Sequence, residues 1–355
     1  MAPQPFDTTS RQDIPHLDGL RGAAALLVVI GHSISIGLLP ALLPEGISGQ
    51  GVALFFLLSG FLMGHLYLAR PFTPLAFRRF IVSRLARVLP LFYATVLLAV
   101  ALKAGLHLSY YRIDNLTDLL GNGLLIAGTG VLWSIPVEVH FYLLFALCWF
   151  LRTRLPDAVL LCGLLALQTI AVMALFGTIK GAAALPFWLH YFATGAVIAV
   201  LFGRARQAQP TLPVRQAVGD LLAWLIAAAS IFSLSNAGAF LRFSGLPHFL
   251  APEQYVLMVG VFVAALYGQG PFRVFAAPLM RWLGSISYGV YLLHMPVIHL
   301  IKDLALASTW PEGAGFLGAA GLVLGLAHLS QRYFERPLQA WLVARHRSRP
   351  APNEN

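Results

Sequence analysis

Charge is what this sequence has least of. Only 11% of its 355 residues are Asp, Glu, Lys or Arg, where a soluble globular chain carries about a quarter. A hydrophobic share of 58% and a mean hydropathy of +0.76 point the same way, and together they exclude an ordinary water-soluble fold. Cysteine is almost missing. Cys148 and Cys162 lie in or beside apolar stretches, without the spacing of a metal centre or a disulfide framework, and no metal site is expected. No internal repeat of the kind that marks many transporters is evident. The first 17 residues are polar and of mixed charge, lacking the short basic stretch of a cleaved signal peptide, so the first apolar run is expected to remain as an anchor. Acidic residues are also few, 14 against 24 Lys and Arg, for a net charge of +10. Such a balance can signal nucleic acid. Here the cations fall in the breaks between apolar runs and form no single patch or stripe, which speaks against nucleic acid as a partner.

What is present is a succession of apolar runs, each near the ~17–25 residues that a bilayer demands. The expected fold class is an all-α integral membrane protein, a bundle of about ten helices. They are read at 19–39, 49–69, 88–108, 131–151, 157–176, 183–203, 217–235, 254–270, 283–304 and 313–333. The glycine-rich stretch 119–130 is apolar but short, and re-entrant or interfacial placement both stay open. With the N-terminus in the cytoplasm, 18 of the 24 cations fall on the inner side and five on the outer (Lys103, Arg112, Lys180, Arg242 and Lys302), with Arg21 at the start of the first helix. That asymmetry predicts an even number of spans and both termini inside. The organisation expected is a cytoplasmic segment 1–18, a transmembrane domain 19–337 and a basic, flexible cytoplasmic tail 338–355.

Ionisable groups inside a span cost a few kcal/mol or more and usually face the bundle interior, so each one carries information. On the first helix, Arg21 and His32 are eleven residues apart. At ~100° per residue they fall on one face, about 16 Å apart along the axis. On the fourth, Ser134, Glu138 and Tyr142 share a face at i, i+4 and i+8, and Trp133 precedes them. With spans at 19–39 and 131–151, both His32 and Glu138 are expected about 10 Å below the outer surface, where the carboxylate would orient the imidazole. On the ninth, Ser287, Tyr291 and His294 align. Arg78, Arg79, Arg84 and Arg87 precede the third helix, and guanidinium clusters suit phosphates. The bland readings are ordinary topology signals for the arginines, an interhelical hydrogen bond for Glu138, packing for His294 and an interfacial anchor for Trp133. His65, His107, His299 and His328 sit near span ends, where interfacial solvation explains them; His190 lies deeper.

Six segments in this order resemble the acyltransferase-3 family of integral membrane acyltransferases. They are LDGLRGAAALLVVIGH (17–32), GVALFFLLSGFLM (51–63), RRFIVSRLARVLPLFY (78–93), LWSIPVEVHFYLLF (132–145), LGSISYGVYLLHMPVI (283–298) and RYFERPL (332–338). The resemblance spans residues 17 to about 338 and implies transfer of an acyl group, commonly acetyl from cytoplasmic acyl-CoA, to a hydroxyl of a sugar or glycolipid. It carries the family's Arg-x10-His pair onto Arg21 and His32, and its Trp-Ser-x-x-x-Glu residues onto Trp133, Ser134 and Glu138. It also implies a bacterial inner membrane. Some relatives carry a C-terminal extracytoplasmic hydrolase-like domain, which is not expected here.

The expected mechanism follows. Acyl-CoA enters from the cytoplasm with its phosphates on Arg78, Arg79, Arg84 or Arg87, while Arg21 positions the pantetheine or thioester. His32 serves as general base on the acceptor hydroxyl, or as a transient acyl carrier, oriented by Glu138. Tyr291 or His294 donates to the oxyanion. Intramembrane Arg, His and Glu equally suit a proton-coupled transporter or flippase, which is the alternative reading.

Overall fold

The computed structural model describes residues 14–40, 46–175, 183–207, 213–233, 244, 246, 250–306 and 313–347. Arg11, Lys180, Arg242 and Arg349, used in the charge count, lie outside them. No strand occurs among the described residues. Twelve helices follow one another: α1 (Pro15–Ser35), α2 (Ile47–Tyr67), α3 (Pro74–Leu106), α4 (Leu116–Gly123), α5 (Ser134–Leu151), α6 (Asp157–Leu175), α7 (Leu189–Gln207), α8 (Pro213–Ser233), α9 (Pro252–Leu266), α10 (Pro278–Leu306), α11 (Ala314–Ser330) and α12 (Arg336–Arg347).

Each of the ten expected spans falls on a helix. Among the described residues, eight segments are long and apolar enough to cross a bilayer. The other two are irregular: the apolar part of α7 is Leu189–Ala205, and α9 runs into a short helical turn, Gly270–Ala276, at an angle of 63°. Stretch 119–130 forms no span. It splits into α4, about 12 Å long by its eight residues, and a turn leading into the tight helical turn Gly130–Trp133 ahead of α5.

Three differences from the hydropathy reading stand out. α1 starts at Pro15 and ends at Ser35, four residues early at both ends, so His32 occupies its last turn. α3 starts at Pro74, where the Thr73 hydroxyl accepts the Ala76 N–H at 3.1 Å. All four arginines before residue 88 are therefore helical. Charge ends a hydropathy window but not a backbone helix, since Arg is a good helix former. After α11 a wider turn, Gln331–Glu335, leads into α12, so the basic segment from 338 is helical as far as Arg347.

α1 is the axis of the bundle. It packs tightly against α10 and α2 because glycines remove the side chains between them. A Cβ on Gly284 would stand 1.8 Å from the Asp18 carbonyl oxygen, and one on Gly19 would stand 1.9 Å from that of Phe275. Such close backbone approach by small residues is the usual packing device of membrane helices. Asp18 meets Gly284 at one end and His32 meets His294 at the other, so α1 and α10 run in the same direction. α2 runs against α1, with Gly51 facing Ala24 and Val28, and Gly31 facing Ile47. α5 runs against α3, pairing Phe72 with Trp149 and Phe80 with Tyr142. These relative directions agree with the alternation of the charge pattern.

Candidate active site

α1, α2, α3, α5 and α10 enclose a cavity lined by Arg21, Arg84, Arg87, Glu138, Ser59, Ser134 and Tyr291 among others. Its empty space, counted together with the open solvent at its mouth, is about 670 Å³. Arg84 faces inward because the buried positions of α3, Phe80, Arg84, Val88 and Leu91, recur at helical spacing. Its side chain is buried, and its Nε has no hydrogen-bond partner among the described residues. Arg21 pairs with Asp18 at 3.4 Å. Arg87 makes no ion pair within 4 Å among the described residues. Three guanidinium groups and one carboxylate thus face the same space.

That carboxylate is already hydrogen-bonded. Glu138 Oε1 accepts the Ser59 hydroxyl at 2.8 Å and the Tyr142 hydroxyl at 2.5 Å. The expected contact between Glu138 and His32 is not formed among the described residues. Along α5, Ser134 lies one turn from Glu138. Ser134 donates to the Tyr291 hydroxyl at 2.8 Å, and His294, beside His32, lies one further turn along α10. Two turns separate the two residues, about 10 Å. The early end of α1 carries His32 outward by about one turn, while Glu138 is held at its own level by Ser59 and Tyr142.

Tyr291 does not have a free proton. Its hydroxyl donates to the Val131 carbonyl at 2.8 Å while accepting from Ser134, so the expected donation to an oxyanion is already committed elsewhere. Tyr291 packs edge-on against Phe55, ring centroids 5.9 Å apart. This pair closes the cavity at its Ser134 end, and the imidazoles of His32 and His294 lie just beyond, 5.2 Å apart.

Not every expected residue reaches the cavity. Arg78 and Arg79 lie on α3 one to two turns before Arg84 and do not line it. Trp133 packs with Phe56 and Trp188. Ser287 lines the cavity and donates to the Gly284 carbonyl. Sequence reading missed Ser59 as a partner of Glu138, a contact between two helices that spacing along either one does not show. It also missed Tyr288, which lines the cavity and ties α10 to α3 through the Val88 carbonyl at 2.6 Å.

The loops beyond the histidines hold the site from outside. Pro296 has no N–H, which frees the Leu292 carbonyl one turn earlier, and the buried Tyr111 hydroxyl fills it at 2.8 Å. The Tyr111 carbonyl accepts the Thr129 hydroxyl at 2.8 Å, and Thr129 bonds the buried Asn122 amide. Residues 109–133 are thereby fastened to α10 at the level of His294, which sets where α5 begins. Burial pushes the Tyr111 phenol well above its ordinary value, so it stays protonated as a donor.

A bundle of membrane helices around a cavity with arginines on one side, and an imidazole pair just beyond its Phe55–Tyr291 end, is the framework of an intramembrane group-transfer domain. The chain belongs to the acyltransferase domain family, whose profile matches residues 14–329. It is 24% identical to the peptidoglycan O-acetyltransferase OatA of Listeria monocytogenes, over 93% of this chain and 56% of that protein. It is 25% identical to the putative peptidoglycan O-acetyltransferase YrhL of Bacillus subtilis, over 94% of this chain and 56% of that protein. The chain therefore spans little more than half the length of these relatives. No solved structure matches it.

Proposed function

We propose that this domain moves an acetyl group from acyl-CoA on the cytoplasmic side to a hydroxyl of a cell-envelope glycan on the other. Peptidoglycan is the acceptor class named for both relatives. The observation that carries the reading is the cavity itself, with Arg21, Arg84 and Arg87 converging on one space beside a single, already bonded carboxylate. Buried cations short of counter-charge attract an anion, and guanidinium forks suit phosphate. With the N-terminal end of α1 inside, the arginines open toward cytoplasmic acyl-CoA. Its phosphates rest on Arg84 and Arg87, with Arg78 and Arg79 at the approach.

The pantetheine arm then runs past Arg21 and Glu138 toward His32, about 16 Å further along α1. Glu138 holds Ser59 and Tyr142 in place and balances the arginines. His32 takes the proton of the acceptor hydroxyl as its oxygen attacks the thioester carbon. The C–O bond forms, the C–S bond breaks, and the proton passes from His32 to the CoA sulfur. The Phe55–Tyr291 pair must part for the acyl group to reach His32.

The test is release of free CoA by purified protein supplied with acetyl-CoA and a peptidoglycan fragment. Wild type is expected to release thiol. In His32→Ala, release should fall ~10²–10⁴-fold, the usual worth of a general base, with acetyl-CoA affinity retained. Arg84→Ala should instead weaken acetyl-CoA binding tenfold or more, since one hydrogen bond to a charged group contributes ~1.5–3 kcal/mol. Absence of both binding and release across a panel of acyl-CoA donors would overturn the reading.

A further inference from the structure

His294 leaves one of its nitrogens unanswered. The side chain is fully buried. Its Nδ1 lies 2.7 Å from the Tyr291 carbonyl oxygen, one turn earlier on α10. A carbonyl only accepts, so Nδ1 carries the proton, and in the neutral ring Nε2 is a bare lone pair. That Nε2 is buried and has no hydrogen-bond partner among the described residues. A buried acceptor without a donor costs ~1–3 kcal/mol, and an exception of this kind calls for an explanation.

The surroundings narrow the choice of donor. Tyr291 has its ring centroid 6.1 Å away, but its hydroxyl proton is held by Val131. Glu138 is two turns off and is itself an acceptor. The His32 ring packs directly against it, edge-on with an interplanar angle of 73°. Facing nitrogens on two imidazoles whose centroids are 5.2 Å apart would stand about 2.9 Å from each other, within hydrogen-bond range. Turning the His32 ring about its terminal side-chain torsion, which is a soft one, brings a nitrogen to face Nε2 without moving the helix.

We propose that His294 is the positioning residue for His32: its Nε2 accepts the N–H of the His32 ring. The bond holds His32 in one tautomer and leaves its other nitrogen as the free base toward the acceptor hydroxyl. The hydrogen bond made by one ring nitrogen sets the state of the other. Loss of the hydroxyl proton to His32 leaves the bond to His294 intact, and no proton moves onto His294. The same geometry removes the oxyanion role expected for His294, because Nδ1–H is committed and Nε2 has no proton to give. This pairing rests on the acyl-transfer reading for its purpose, though not for its existence.

Both can be tested on the full chain in nanodiscs. Protein carrying ¹⁵N-histidine is compared as wild type, His294→Phe and His294→Gln, with the His32 signals assigned by their disappearance in His32→Ala. The expected result is a single His32 tautomer in wild type and a mixture in His294→Phe. Turnover in His294→Phe should fall at least tenfold with acetyl-CoA affinity unchanged. His294→Gln, which restores an acceptor oxygen, should recover most of both properties, and His294→Leu takes the place of the Phe variant if that one does not fold. Identical His32 signals in wild type and the variants that remove the acceptor would overturn the pairing. The outcomes separate the two ideas. An inactive His32→Ala beside a fully active His294→Phe sinks the pairing alone, whereas a fully active His32→Ala sinks the acyl-transfer role of His32. If wild type turns over no acyl-CoA at all, the tautomer spectra still decide the pairing.

Discussion

α6 and α1 are both about twenty residues long and both pass as membrane spans, yet they are opposite in kind. α6 is the most apolar of the eight and has none of its span buried inside the protein. α1 is among the less apolar, with 56% of its span buried, and it carries Asp18, Arg21 and His32. Lipid rewards apolarity wherever a helix faces it, so the highest hydropathy marks the periphery. Polar groups survive in a membrane only where neighbouring helices satisfy them. Of the two, the helix with the weaker hydropathy signal is the one that builds the site.

The comparison can be broken most severely at the α1–α10 seam. Gly284→Leu forces a side chain into the Asp18 carbonyl, where even a Cβ stands 1.8 Å away. The expected outcome is loss of a monodisperse, thermally cooperative protein on size-exclusion chromatography and melting. Even Gly284→Ala should destabilise by the ~1–3 kcal/mol of an overpacked contact or more. Gly163→Ala on α6, where a Cβ meets nothing within 4 Å, should leave the melting temperature unchanged or slightly raised. Equal effects at the two glycines would show that α1 and α10 do not approach as closely as described.

A charge on the lipid-facing helix should produce the converse. Leu165 is 61% exposed along α6, and Leu165→Arg places a guanidinium in hydrocarbon at ~2.5–3.5 kcal/mol on the insertion scale. Expression is expected to drop several-fold, while turnover per folded molecule stays at the wild-type value. A loss of specific activity would mean that α6 contributes to the site.

The smallest effect lies outside the spans. Asp114 accepts from Lys103 at 2.8 Å and from Ser109 at 2.5 Å, and the bond from Lys103 chiefly holds its carboxyl below the ordinary 3.8. A depressed carboxyl stabilises the fold fully above its unfolded value and loses that contribution as pH falls through the folded one. The melting temperatures of wild type and Asp114→Asn should therefore differ most near neutrality and converge below about pH 4. The group is exposed, so the difference should be small and should shrink further in high salt.

How much of this was legible beforehand varies with the kind of information. The helices could be read because hydrocarbon forces backbone hydrogen bonds to close within each span, and that leaves long apolar runs in the sequence. The shared face of Ser134, Glu138 and Tyr142 was legible too, because helical spacing is local, and all three do line the cavity. Depth was not legible. A hydropathy window stops at charges and runs on through apolar loops, so α1 was placed four residues late and α3 fourteen residues late. Four residues is a full turn, about 6 Å, more than half of the two turns that separate Glu138 from His32.

By itself, then, the sequence determined that this is a multi-helix membrane protein, which residues are out of place in lipid, and which of them share a helix face. Only the tertiary structure decided who meets whom: Glu138 with Ser59 and Tyr142, Tyr291 with Val131 and Ser134, and His32 with His294. The reason is physical. Periodicity is a property of one helix, but the partner of a buried polar group is set by where neighbouring helices begin, and that is fixed by contacts such as Gly284 against Asp18 and Tyr111 against Leu292, more than 150 residues apart in the chain.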